Sequence, residues 1–391
     1  MLTNVFVRDR FTWLAYLMLA YFAYAQAIIG PLMPFLRAEL KLNYTTAGLH
    51  GSLFALGMIV AGLSGDRLAR QWGRRVVFWG GGAGMAAGAV ILAGGDRVLL
   101  TLAGALLMGG LGSFLLVMIQ ASLSDRHGEQ RAIALTESNV AASISASLAP
   151  VLIGAFQRSD WGWRSALYLI AAAFASLFIY FQTVVIPDNH PAATLKSNPG
   201  APPSLPKAYW AYWSVVMLVV SVEWCLIFWG ADYLVEKIGL SKVNAATMMS
   251  VFFGAMVLGR IIGSRLSRTV ASPTLLLSAI GIAGVGFGLF WLASFGPLNI
   301  TGLFFAGLGV ANTFPLTLTV AVSVGARRND AASARIALAS GLAILISPLV
   351  LGWVADQLNL QNAFGVVAGL LLAAATVTFL TNRLTRAHPG R

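Results

Sequence analysis

The sequence predicts an all-α polytopic membrane protein, with twelve transmembrane helices in two pseudo-symmetric six-helix bundles. Three observations carry that prediction. The first is composition: 58% of the 391 residues are hydrophobic and 10% are charged, with a mean hydropathy of +0.78, whereas a soluble domain carries roughly 25% charged residues. The second is a series of apolar windows of about twenty residues, each long enough to cross roughly 30 Å of hydrocarbon. The third is an internal repeat. Gly65-Asp66-Arg67-Leu68-Ala69-Arg70 returns as Gly263-Ser264-Arg265-Leu266-Ser267-Arg268, 198 positions later. The same ungapped offset sets Leu36 on Leu234, Leu42 on Leu240, Phe54 on Phe252, Met58 on Met256 and Pro150 on Pro348. Chance does not hold a register over so much chain, so the halves read as copies of one unit.

The windows fall at about 12–35, 45–65, 75–95, 98–122, 129–157 and 164–187 in the first half. In the second half they fall at about 208–234, 243–263, 271–294, 298–322, 331–355 and 360–382. The first lacks a small-residue cleavage site and runs on through Gly30-Pro31, so it reads as a retained helix and not a signal peptide. Pro150 and Pro348 predict kinks at matching places in the fifth and eleventh helices. The glycines of Gly80-Gly81-Gly82, Gly109-Gly110, Gly307 and Gly309 lie inside apolar helices, with no Gly-Lys-Ser/Thr after them. Close helix packing explains them better than a phosphate loop does. Residues 188–207, rich in Pro, Ser, Asn and Lys, suit a linker between an N-terminal bundle (1–187) and a C-terminal bundle (208–391).

Charge sets the orientation. The net charge of +12 is not gathered into basic blocks, which argues against a nucleic-acid partner. Its residues sit singly or in pairs between apolar spans, as topology signals do. With the N-terminus inside, 17 Lys/Arg fall in cytoplasmic segments and seven in outer ones: Arg37, Lys41, Arg97, Arg158, Arg164, Lys237 and Lys242. That bias predicts cytoplasmic termini and a multi-pass protein of the cytoplasmic (inner) membrane. Cys225 is the single cysteine, so no intrachain disulfide forms. His50, His127, His190 and His388 are scattered without metal-ligand spacing, and no nucleophile motif stands beside a base. No cofactor, no metal and no enzyme chemistry are expected.

Twelve helices in two similar halves, with a basic loop after the second and an echo after the eighth, resemble the major facilitator superfamily over essentially the whole chain. Its signature loop reads Gly, three residues, Asp-Arg/Lys, and shortly afterwards Gly-Arg-Arg/Lys. Gly62, Asp66, Arg67, Gly73, Arg74 and Arg75 match it. The spacer Leu68–Trp72 is longer than usual by about one helical turn, and the second copy has Ser264 in place of the acid. The resemblance implies a secondary active transporter that rocks two bundles about a midplane site. Internal repeats fit that architecture.

Ionisable groups at hydrocarbon depth are costly and therefore candidates for function. Glu223, mid-way along the seventh helix in Val-Val-Ser-Val-Glu-Trp-Cys, has no basic residue within a turn of its own helix. It is the leading candidate for proton coupling or substrate contact. The alternative is a permanently neutral Glu hydrogen-bonded between helices. Glu137 is the second candidate and falls on Arg335 at the repeat offset. The resemblance implies two interdomain pairs that shut the cytoplasmic side, Glu137 with Arg260 and Asp66 with Arg335; Arg67, Arg74 and Arg75 join them as conformational-gate residues. Against this, Arg260 and Arg335 can simply snorkel to the interface. Asp232, at the outer end of the seventh helix, reads as solvated.

Tyr24, Gln26, Gln120, Asn139, Trp224 and Asn312 are candidate cavity residues, if the superfamily's arrangement holds. A single Asn or Gln serves equally well as a tie between helices. Together these residues imply a small-molecule substrate moved by protons, with sodium as the other coupling ion open to carboxylate and amide oxygens. Two buried acids with aromatics suit export of an organic cation or drug; an amide-lined cavity suits uptake of a sugar-like solute. From another class, the chain could be a non-transporting membrane receptor or scaffold. The lipid bilayer is the other partner, and a monomer is the default.

Overall fold

The computed structural model describes residues 6–187, 205–324 and 329–387. Most of the expected linker, together with Arg327, Arg328, His190 and His388, lies outside the described residues. All regular structure among the described residues is helical. The helices are α1 (Arg10–Ala27), α2 (Ile29–Leu40), α3 (Tyr44–Trp72), α4 (Arg74–Gly94), α5 (Val98–His127), α6 (Arg131–Arg158), α7 (Ser165–Phe181) and α8 (Lys207–Ile238). They continue as α9 (Lys242–Leu266), α10 (Ser272–Leu292), α11 (Gly296–Ser323), α12 (Asn329–Gln357), the short α13 (Leu360–Ala363) and α14 (Gly365–Ala387).

Ten stretches among the described residues are long and apolar enough to cross a membrane. One of them, Val98–Arg158, holds two helices, α5 and α6, joined by a single 3-10 turn at Gly128–Gln130. With the 17-residue apolar α7, the twelve expected spans are accounted for. The first span differs from expectation in being broken at Ile28 into α1 and α2, and Pro31 and Pro34 follow the break. A proline removes a backbone donor and crowds the preceding turn, so a pair of them there favours an interruption.

Local chemistry sets the ends. The Asp9 side chain accepts from the Thr12 amide at 2.8 Å to start α1, and the Asn43 side chain does the same for Thr46 at 2.9 Å to start α3. Such caps satisfy amides that have no partner inside the helix. Between α3 and α4, Gly73 turns the chain with φ +81°, a conformation that side chains resist.

Two compact units divide the chain, one of residues 1–32 with 53–193 and the other of 33–52 with 194–391. The second unit therefore takes in a short piece of the first half, comprising the end of α2 and the start of α3. The expected boundaries at 187 and 208 did not include that excursion. Sequence order cannot show it, because it depends on which neighbours residues 33–52 choose.

The repeat is reproduced in the packing of each unit. A Cβ placed on Gly88 would lie 2.4 Å from the Met108 nitrogen, and one on Gly286 2.2 Å from the Ala306 nitrogen. One on Gly104 would lie 2.6 Å from the Leu92 nitrogen, and one on Gly302 2.2 Å from the Phe290 nitrogen. One on Gly109 would meet the Phe54 carbonyl at 2.3 Å, and one on Gly307 the Phe252 carbonyl at 2.6 Å. Each contact in the second unit lies 198 positions after its counterpart in the first. Glycine here lets α4 lie on α5 and α10 on α11 backbone to backbone, the arrangement that substitutes for hydrophobic driving force inside lipid.

Candidate functional site

Glu223 lies in the middle of α8, where Val222 and Cys225 are buried while Glu223 and Trp224 are half-buried. Among the described residues its carboxyl has no hydrogen bond and no ion pair. The Arg260 charge on α9 nevertheless acts on it electrostatically. Expectation assigned Arg260 to Glu137; within the second unit, its charge acts on Glu223. The helix holding Arg260 follows α8 through the short turn at Gly239, whose φ of +75° closes α8 and lets α9 run beside it.

Glu137 has firm partners within the first unit. Arg8 Nε donates to one carboxylate oxygen at 2.7 Å and an Arg8 terminal nitrogen to the other at 2.5 Å. The Tyr16 hydroxyl donates to the same carboxylate at 3.0 Å. A two-pronged guanidinium bond fixes the carboxylate in its charged form more firmly than a point charge does. Glu137 is thereby held at the start of α6, beside Asp9 and Arg126, which pair at 2.5 Å. Burial opposes the Asp9 charge, but the Thr12 hydroxyl and amide and the Arg126 guanidinium together hold its carboxyl below the ordinary value.

The other cavity candidates divide. Tyr24 is buried and its hydroxyl donates to the Ala166 carbonyl of α7 at 3.1 Å, which makes it a packing residue. The Asn312 amide donates to the Gly259 carbonyl at 2.7 Å, and a Cβ on Gly263 would run into its side chain at 2.1 Å. Asn312 thus ties α11 to α9, the helix-tie alternative. Gln26 is half-buried, with only a weak contact to the Met58 sulfur at 3.5 Å. Gln120 and Asn139 are exposed, and the Asn139 amide turns back to the Leu135 carbonyl.

Sequence reasoning missed one cluster. Asp232 is 2% exposed and not solvated as expected, because Arg37 of α2 lies against it at 2.5 Å. The Arg37 guanidinium also stacks on the Tyr44 ring, 3.6 Å from its centroid, and reaches Glu236 at 3.4 Å. The Tyr44 hydroxyl donates to Glu236. Asp356 of α12 accepts from the backbone amides of Tyr44 and Thr45, each at 2.8 Å. An acid in the apolar run Gly230-Ala231-Asp232-Tyr233-Leu234 was the available signal. Its partner, 195 positions away, was not readable.

The Major Facilitator Superfamily sequence pattern matches residues 13–334. The chain belongs to the Major Facilitator Superfamily. It is 25% identical over 355 residues to an uncharacterized MFS-type transporter of Yersinia pestis, covering 88% of this chain and 89% of that one. It is 24% identical to the fosmidomycin resistance protein of Escherichia coli (strain K12), covering 91% and 88% respectively. Its fold matches a variant of the nucleoside transporter NupG with a TM-score of 0.78 at 15% identity, covering 95% of this chain and all of that one.

In this superfamily member the signature loop has two kinds of residue. Asp66 and Arg67 are exposed, and Asp66 pairs with Arg70 one turn on, at 3.1 Å. Arg74 is buried; it bonds Asp125 at 2.5 Å and the Pro187 carbonyl at 3.2 Å. Arg75 donates to the carbonyls of Val184 and Gln182. Arg74 and Arg75 thus fasten the start of α4 to the chain that leaves α7. In the second unit Arg335 is exposed, its guanidinium 5.4 Å from the Trp210 ring centroid, and its carbonyl accepts from the Trp213 indole at 2.9 Å.

Proposed function

We propose that this transporter moves a small organic solute across the cytoplasmic membrane by alternating access, with Glu223 carrying the coupling proton. The observation that carries the reading is the Glu223 carboxyl at mid-span, without a hydrogen bond among the described residues and within the field of Arg260. A carboxyl committed to fixed bonds resists changing its protonation. One held only by a nearby charge can gain or lose a proton with little rearrangement, and an ionisable group at that depth is costly enough to need a use. Glu137, held by Arg8 and Tyr16, suits a structural or gating role better than proton carriage. The gate pairs Glu137–Arg260 and Asp66–Arg335 belong to the same proposal, as partners exchanged for Arg8 and Arg70 in another state of the cycle. Protons as coupling ion, cytoplasmic termini and a monomeric unit complete it. Among the two transport directions, export of a drug-like compound is favoured by the relative named for fosmidomycin resistance.

The test begins with a thermal-stability screen of purified protein against lipophilic cations, sugars, amino acids and carboxylates, since a ligand of the folded state raises its apparent stability. A stabilising compound is then applied to proteoliposomes containing a pH-sensitive dye. Compound-driven proton movement is expected with the native chain and absent with Glu223→Gln, while exchange of the compound itself continues. Proton movement at the native rate in the variant would remove Glu223 from the coupling step.

A further inference from the structure

Residues 33–52 precede most of the first unit in the chain but pack within the second, and their attachment is specific. The Ser52 hydroxyl donates to the Leu345 carbonyl at 2.6 Å. A Cβ on Gly48 would stand 3.0 Å from the Pro348 carbonyl, and one on Gly352 would stand 2.6 Å from the Tyr44 carbonyl. Ala47 is fully buried. One charged contact of this segment, Arg37 with Asp232 at 2.5 Å, is incompletely satisfied. Among the described residues, Asp232 Oδ2 and Arg37 Nε are buried without a hydrogen-bond partner. A carboxylate that bonds through one oxygen keeps a free lone pair for a proton. Once that proton arrives, the ion pair becomes a neutral acid beside a buried cation.

We propose that Asp232 is a second proton-binding site, and that its pair with Arg37 is a lock that a proton releases, freeing residues 33–52 from α8 and α12. The charged and titratable groups around the pair are Arg37 on α2, Tyr44 on α3, Glu236 on α8 and Lys242 at the start of α9, whose charge also acts on Asp232. Asp356 on α12 holds the Tyr44 and Thr45 amides. When Asp232 is neutral, Arg37 retains Glu236 at 3.4 Å and the Tyr44 ring, contacts more exposed and longer than the one lost. Protonation therefore weakens the attachment, and deprotonation restores it. This inference takes from the functional reading only that protons drive the cycle.

The test is cysteine accessibility. Ala47→Cys introduces a thiol at a fully buried position of the segment, and the parent chain, whose Cys225 is buried, gives the background. Maleimide labelling of purified protein is measured between about pH 5 and pH 8. It is normalised to Gln71→Cys, an exposed position of the first unit, which cancels the ionisation of the thiol itself. The expected result is a normalised rate that rises as pH falls, by up to about tenfold per pH unit, the limit for one proton. With Asp232→Asn added, labelling is fast at every pH; with Glu236→Gln added, the rise on acidification persists. A flat profile with Asp232 intact overturns the proposal, and this arm does not depend on the Asp232 variant folding. A pH response that survives Asp232→Asn overturns it as well. The profile is also taken with Glu223→Gln. If that variant abolishes proton-coupled transport but keeps the labelling response, the two sites are separate. If it transports normally, the functional reading fails while the labelling result still decides on Asp232.

Discussion

Arg8–Glu137 and Arg74–Asp125 are both ion pairs with 2.5 Å contacts in the first unit, yet they should differ in worth. The side chains of Arg8 and Glu137 are 44% and 31% exposed, and pairs so open to solvent are largely screened and contribute little. Arg74 and Asp125 are 9% and 24% exposed, and removing one partner leaves a poorly solvated charge, which costs roughly 1–3 kcal/mol. Arg8→Ala should therefore shift the thermal midpoint of purified protein only slightly. Arg74→Ala should lower it by several degrees. Arg74→Ala combined with Asp125→Ala should cost less than the sum of the single changes, because the stranded charge is then gone. A strictly additive pair of losses would show that Arg74 acts mainly through contacts other than Asp125, the Pro187 carbonyl among them. Arg74 was readable in sequence as part of a signature loop. Its buried, structural half of that role was not, because Asp125 and Pro187 are 51 and 113 positions away.

At the level of helices, the glycine contacts turn the repeat into a stability argument. Met108 and Ala306 nitrogens stand 2.4 and 2.2 Å from where Cβ atoms on Gly88 and Gly286 would lie. These are backbone atoms, so α4 and α5, or α10 and α11, would have to separate. Overpacking of this kind costs roughly 1–3 kcal/mol. Gly88→Ala and Gly286→Ala should destabilise by similar amounts, one in each unit. Gly80→Ala and Gly284→Ala, with nothing within 4 Å, should be neutral or slightly stabilising, since alanine favours helix by up to about 1 kcal/mol over glycine. Melting curves of the four variants check this; equal losses in all four would refute the packing account. The fold was legible in sequence because helix length, apolar run and small-residue contacts are recorded along a single helix. The excursion of residues 33–52 and the partners of Arg37, Glu137 and Arg260 were not. Those depend on which distant helix stands opposite, and no local pattern of residues records it.

For the whole molecule, the distribution of charge predicts how the chain lies in its membrane. In the first unit, contacts gather Arg8, Arg74, Arg75 and Arg126 at one end, through Glu137, Asp125, the Gln182 and Val184 carbonyls, and Asp9. The other end of α6 runs out at exposed Ser159 and Asp160. Several arginines at that end have fixed partners, and Arg67, Arg70 and Arg75 are exposed there. Each Lys or Arg near an anionic inner leaflet is worth about 1 kcal/mol, and moving it across the hydrocarbon during insertion costs more. The basic end should therefore face the cytoplasm. A membrane-impermeant maleimide applied to intact cells should label Ser159→Cys and leave Gln71→Cys untouched; breaking the membrane should make Gln71→Cys reactive. The opposite labelling would invert the orientation of the first unit and overturn the argument from its basic end.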